Sequence, residues 1–142
     1  MRNVMENRTV VERYHQAMRD KSSDALADLY AEDAVHEFPF TAPGFPGRFE
    51  GREAVREGYR RAWGAVPFQV HGIEDVTMYP TADPEVIVSE QVTVVGMGSG
   101  GPRLRVPSLI VLRIRDGQIV HCRDYMDALA ASEVRSAPSQ AS

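Results

Sequence analysis

One change of rhythm limits what this chain can fold into. Up to about residue 66 its apolar residues recur at helical spacing; from residue 67 onward they recur at every second position. Helices first and strands after predict an α+β domain, with a curved antiparallel sheet curled over a helical layer packed in its concave face. The strands read Phe68 to Met78, Val86 to Val95, Leu104 to Arg115 and Ile119 to Asp127. Between them lie Pro80-Thr81-Ala82-Asp83-Pro84, Gly96-Met97-Gly98-Ser99-Gly100-Gly101 and Asp116-Gly117. Asp-Gly is a strong type I′ hairpin signal, because both central residues of that turn need positive φ. Three hairpins in succession predict a meander.

In the helical half, Val10, Val11, Tyr14, Ala17 and Met18 share one face, with Glu12, Arg13, Gln16 and Arg19 on the other. This predicts a first helix over residues 4–20, with His15 beside polar residues and solvated. Tyr14 lies mid-stripe, either as a core aromatic or as a hydrogen-bond donor into a cavity. Ser22 or Ser23 can cap a short second helix, read as running to Glu32-Asp33. A short strand, Ala34 to Phe38, then points His36 and Phe38 to one side. Pro39 to Gly47 holds three prolines and two glycines, so it must be a loop. Its phenylalanines suit a loop folded over an apolar opening or against a neighbouring subunit. A third helix opens at Gly51-Arg52-Glu53 and ends at Gly64, with Ala54, Val55, Tyr59, Ala62 and Trp63 as its stripe. Trp63 is core or pocket wall.

The last strand carries the most telling residue. Alternation puts Val120, Cys122, Asp124 and Met126 on one face and His121, Arg123, Tyr125 and Asp127 on the other. Asp124 is thus a carboxylate in an apolar row, and such a group either finds a partner or does chemistry. His36 is expected to project toward the same interior, so a His–Asp pair there could be a general base with its orienting partner or a satisfied buried pair. Cys122 reads as a small core residue, because a neighbouring carboxylate raises a thiol's pKa. Gly96 to Gly101 satisfies G-x-G-x-x-G formally. The next segment is a strand, not the helix that would receive a phosphate, so the glycines read as a hairpin loop.

Composition sets the outer bounds. With 142 residues the chain fits one domain, and a net charge of −4 argues against nucleic acid as a partner. No 18-residue apolar run predicts a membrane span, and the N-terminus has no signal-like apolar core, so the expected location is cytoplasmic. One cysteine allows no internal disulfide, and four histidines without ligand spacing give no metal site. No cofactor is expected. Residues 1–131 are expected to form the domain, with 132–142 as a disordered tail.

Val11-Glu12-Arg13-Tyr14, Leu26 to Val35, Phe49 to Val55, Asp116 to Ile119 and Arg123 to Asp127 together resemble the nuclear transport factor 2-like superfamily, and its SnoaL-like branch most closely. The likeness spans roughly residues 8 to 130 and implies a cone-shaped α+β barrel of the cystatin-like type. It also implies a deep apolar pocket and frequent homodimers. Members include isomerases, polyketide cyclases, epoxide hydrolases, dehydratases, phenazine-biosynthesis proteins and non-catalytic binders. Tyr14 falls where ketosteroid isomerases place an oxyanion-hole tyrosine, but Phe38 and Ile110 replace their two carboxylic acids. Asp124 matches the water-activating aspartate of limonene epoxide hydrolase-like proteins, whose other polar groups fall at Gln91, Thr93, His36 and Phe38.

These readings converge on a pocket for a small apolar or aromatic carbonyl compound. If the pocket is catalytic, Asp124 is the general acid or base of a cofactor-independent isomerisation, cyclisation, lyase or hydration-type reaction. His36 orients it or carries the proton, and Tyr14 and Gln91 hold a substrate oxygen. Phe38, Trp63, Thr93, Ile110 and Met126 complete the wall. The alternative is a ligand-binding or dimerisation module of the same fold. Valines and leucines among the arginines of the outer sheet face suggest a homodimer through that face.

Overall fold

The computed structural model of the protein describes residues 2–40, 43–44, 46–97 and 100–136. Its order is α1 (Arg2–Asp20), α2 (Ser23–Ala27), β1 (Tyr30–Glu37), β2 (Arg48–Glu50), α3 (Arg52–Ala65), β3 (Phe68–Pro80), β4 (Val86–Met97), β5 (Arg103–Arg115), β6 (Gln118–Met126) and α4 (Ala128–Ser136). Thr41, Ala42 and Phe45 of the Pro/Gly/Phe loop, Gly98 and Ser99 of the glycine loop, and residues 137–142 of the expected tail lie outside the described residues.

Helix α1 forms on the predicted stripe: Val10, Val11, Tyr14 and Ala17 are buried. It stops at Lys21, which takes φ 49° and donates its N–H to Met18 O, while Ser22 N reaches Ala17 O. This double closure satisfies carbonyls that the helix end would leave open. Ser22 then caps α2, accepting from Ala25 N at 3.1 Å. Helix α2 ends at Ala27, short of the expected Glu32-Asp33, and β1 starts at Tyr30 instead of Ala34. Sheet pairing overrides helix propensity here, because Leu29 O accepts the N–H of Ile119 and Tyr30 pairs with Ile119.

The six strands form one open, curved sheet in the order β2-β1-β6-β5-β4-β3. Strands β3 to β6 are the predicted antiparallel meander, and Asp116 (φ 53°) and Gly117 (φ 76°) make the predicted turn. The sheet is not wholly antiparallel, because β1 runs parallel to β6. That partnership joins segments about 86 residues apart, and a parallel neighbour needs a long crossover, here filled by α3 and the meander. Between β2 and α3 the chain turns at Gly51 with φ 92°, a conformation that a side chain would strain. Helix α3 continues past Gly64 to Ala65, and Ala62 of its expected stripe is exposed. Helix α4 follows β6. Asp127 caps it by accepting from Ala130 N at 3.0 Å, and so residues 132–136 of the expected tail are helical.

Alternation along β4, β5 and β6 places Ile87, Ile110, Leu112 and Cys122 inward, against Val11, Tyr14, Leu26, Val55 and Tyr59 of the helices. Each fully buried aliphatic side chain there contributes about 1.5–3 kcal/mol. Three cross-strand rows of the inner face carry the polar residues of the interior: His36–Cys122–Leu112, Asp124–Ile110–Ser89 and Met126–Ser108–Gln91. Among the described residues no helix is long and apolar enough to cross a membrane.

Candidate functional site

Asp124 points inward, as the alternation predicts. It sits opposite Ile110, with Cys122 and Met126 on either side along its own face. Only 6 % of the residue is exposed, and among the described residues its buried Oδ1 has no hydrogen-bond partner. Burial pushes the carboxyl up to about 7. Near neutral pH its two protonation states are therefore comparably populated, the condition under which one group can both take and return a proton.

Four acidic protons lie within reach of its charge. Tyr14, Tyr30, Tyr59 and Cys122 are all held well above their ordinary pKa, first by burial and then in part by Asp124. They come from α1, β1, α3 and β6, so four separate elements converge on this spot. Tyr14 Oη lies near Tyr59 and Cys122, close enough to influence their ionisation, yet in hydrogen-bond geometry with neither. Among the described residues, Asp124 Oδ1 and Tyr14 Oη are thus two buried polar atoms of one cluster without a hydrogen-bond partner.

His36 is fully buried, as expected, but it does not pair with Asp124. Both ring nitrogens belong to tyrosines: Nδ1 lies 2.6 Å from Tyr30 Oη and Nε2 lies 3.1 Å from Tyr59 Oη. Burial, aided by His121, lowers its pKa to about 3, so the ring is neutral. The parallel register explains the correction, because His36 stands across from Cys122, one row away from Asp124.

The expected wall is assembled in part. Phe38 is 4.7 Å from the His36 ring, and Trp63, half-buried, is 4.8 Å from Tyr59. Ile110 is buried, whereas Met126 is half-buried at the edge of the core. Gln91 lies two strands away, and its amide is already engaged. Oε1 accepts from Ser89 Oγ at 2.8 Å and from His15 Nε2 at 3.1 Å, while Nε2 donates to Ser108 Oγ at 2.7 Å. Thr93 sits farther along β4, half-buried opposite Val106. His15, expected in solvent, is 3 % exposed, because α1 is covered by the sheet on the flank beyond its apolar stripe.

The chemistry-bearing residues that the sequence pattern does not single out are Tyr30 and Tyr59. Their signal was present: a buried phenol needs a partner, and His36 was the polar residue facing the same interior. Phe49, on β2, packs its ring 6.2 Å from His36 and 6.0 Å from Tyr59 and closes the cluster from outside. It fits because Gly58 has no side chain; a Cβ there would come within 2.3 Å of the ring. A separate cleft at the β5–β6 hairpin, lined by Glu6, Asn7, Glu85, Arg115 and Asp116, contains none of the expected site residues.

Residues 11–122 match the SnoaL-like domain family. An uncharacterised PhzA/B-like protein of Pseudomonas aeruginosa is 39 % identical over 106 residues, which is 72 % of this chain and 70 % of that one. Among solved structures, a Bacillus subtilis protein to which an isomerase role has been ascribed superposes with a TM-score of 0.85 at 24 % identity, covering 98 % of this chain and 99 % of that one. A Xanthomonas campestris protein ascribed to the polyketide cyclases reaches 0.72 at 20 % identity, covering 94 % and 99 %. Together with the helix-filled open sheet, these likenesses identify the chain as a member of the SnoaL-like family within the nuclear transport factor 2-like superfamily.

Proposed function

We propose that the protein binds a small apolar or aromatic carbonyl compound against Asp124, Tyr14 and the aromatic cluster, and that Asp124 exchanges a proton with it. One observation carries this reading: a buried carboxyl with Oδ1 open beside a buried phenol whose Oη is open. Leaving such atoms unmet costs roughly 1–3 kcal/mol each, a cost that a ligand's carbonyl oxygen would relieve at Tyr14 O–H and, when Asp124 is protonated, at its carboxyl.

The chemistry follows from the two groups. Ionised Asp124 removes an acidic C–H proton next to the carbonyl, and the electron pair of that bond moves onto the carbonyl oxygen. The oxygen, now carrying negative charge, accepts a hydrogen bond from Tyr14 O–H. Protonated Asp124 then returns its proton to a different carbon, giving isomerisation, or the enolate carbon attacks a second carbonyl of the same molecule, whose π electrons move onto its oxygen and take the Asp124 proton, giving cyclisation. No cofactor enters this sequence. A lone buried thiol, Cys122, suits a reducing compartment, and the cytoplasm is part of this reading. A second copy is proposed to cover the outer sheet face, where Val88, Val92, Leu109 and Val111 are half-buried; sedimentation velocity showing only monomer would end that part.

The test is a thermal-shift screen of small ketones, lactones and aromatic acids, followed by turnover of any ligand found. Asp124→Asn is expected to keep binding and lose turnover by at least a hundredfold, the usual lower range for a general base. Turnover unchanged in that variant would remove Asp124 from the mechanism. Tight binding without turnover by the native protein would assign the chain to the non-catalytic members of its fold.

A further inference from the structure

Neutral imidazole carries one N–H and one lone pair, so His36 must donate to one of its two tyrosines and accept from the other. The two contacts are unequal. At 2.6 Å, the Tyr30 Oη–Nδ1 distance suits a phenol O–H donating to a ring nitrogen, whereas 3.1 Å from Nε2 to Tyr59 Oη lies within the range of an N–H donating to oxygen. His36 is wedged in place, with Phe38 and Phe49 against its ring and none of its surface exposed. Reversing the tautomer would need both tyrosine protons to move together.

We propose that His36 is a positioning residue: holding the Nε2–H tautomer between Tyr30 and Tyr59, it turns the Tyr59 hydroxyl proton away from itself and toward the open atoms of Asp124 and Tyr14. The order of donation is Tyr30 O–H to Nδ1, then Nε2–H to Tyr59 Oη, then Tyr59 O–H to the oxygen of a bound ligand or to ionised Asp124. Tyr59 thereby becomes a second donor at the site, on the α3 side, facing Tyr14 on the α1 side. The titratable groups around Asp124 are Tyr14 from α1, Tyr30 from β1, Tyr59 from α3 and Cys122 from β6. His36 sets two of these hydroxyl dipoles: it accepts the Tyr30 O–H at Nδ1 and turns the Tyr59 proton toward the site. With the opposite tautomer, Tyr59 would donate to Nε2 and present its lone pairs to Asp124, disfavouring the carboxylate.

The proposal rests on the reading of Asp124 as the proton carrier, but it is tested without turnover. Nitrogen-15 NMR of the native protein reports the His36 tautomer directly. Nε2–H is expected, and Nδ1–H would overturn the inference while leaving the Asp124 reading intact. Carbon-13 titration of Asp124 gives the second readout. Tyr59→Phe is expected to move its midpoint upward by about one pH unit, a tenfold change, because the carboxylate loses a favourably oriented donor. His36→Leu should move it the same way in the native background and by a clearly smaller amount in the Tyr59→Phe background, since the effect of His36 passes mainly through Tyr59. Equal shifts in both backgrounds, or a downward shift in Tyr59→Phe, would refute the relay. Should a variant fail to fold, the tautomer in the native protein still decides.

Discussion

Replacing Asp124 with asparagine tests the site through stability alone, with no substrate in hand. An ordinary aspartate titrates near 3.8, but here burial holds the folded-state value at about 7. The folded protein therefore binds a proton more tightly than the unfolded chain does. Its stability from this group is greatest below pH 3.8, falls as pH rises toward 7, and is flat above that. A gap of about 3 pH units at 1.36 kcal/mol each makes the cost of ionising the buried carboxyl about 4 kcal/mol. That is a large share of the 5–15 kcal/mol typical of a whole domain. Asparagine has nearly the same shape and no charge, so Asp124→Asn should stabilise by about 1 kcal/mol at pH 4.5, already above the unfolded carboxyl's 3.8, and by up to about 4 kcal/mol at pH 8. Every other titrating group is common to both proteins and cancels in the difference. Urea unfolding followed by circular dichroism at pH 4.5, 6 and 8 measures it as a pH-dependent gap between midpoints. A gap that stays constant from pH 4.5 to 8 would refute the reasoning, because it would mean that the charge is already accommodated. A gain of stability on removing a charge is what a site kept for function, at the expense of the fold, should show.

Other perturbations probe the surroundings of that carboxyl. His36 stays neutral in the fold down to about pH 3 but takes a proton at its ordinary 6.5 once unfolded, so it destabilises the fold progressively from pH 6.5 down to about 3. His36→Gln should therefore flatten the acid limb of a stability–pH curve; an unchanged limb would show that the ring protonates in place. Gly58→Ala puts a methyl group within 2.3 Å of the Phe49 ring and should cost about 1–3 kcal/mol by displacing it, read as a lowered urea midpoint; a neutral result would mean that the ring moves freely. Gln91→Leu leaves His15, Ser89 and Ser108 without their shared partner and should cost about 2–3 kcal/mol, with faster amide hydrogen exchange in α1, which that network ties to β4.

How much of this was legible beforehand differs by residue, and the reasons are physical. Asp124 and Cys122 were placed correctly because strand alternation is a local rule, and the Asp116-Gly117 turn because positive φ leaves few residue choices. The early end of α2 was not legible. Its Leu-Ala-Asp-Leu-Tyr sequence favours a helix, and only the distant Ile119 claims Leu29 and Tyr30 for the sheet. The same long-range pairing set His36 one row from Asp124 and handed it to two tyrosines. His15 was misread because a helix lying in a concave sheet is covered on more than its apolar stripe, so a polar residue at the margin can be buried if a partner such as Gln91 meets it. Helix α4 had a visible start in Asp127, a good cap ahead of Ala128-Leu129-Ala130, hidden by the small polar residues after it.

The proposed chemistry depends on one property, a carboxyl at residue 124 that is half protonated near neutral pH. Carbon-13 NMR of the aspartate side-chain carboxyls, with Asp124→Asn to identify the resonance, measures it directly. The expected titration midpoint is about 7, well separated from the surface aspartates. A midpoint near the ordinary 3.8 would contradict the account, since Asp124 would then be a fully ionised carboxylate at neutral pH with no proton to exchange.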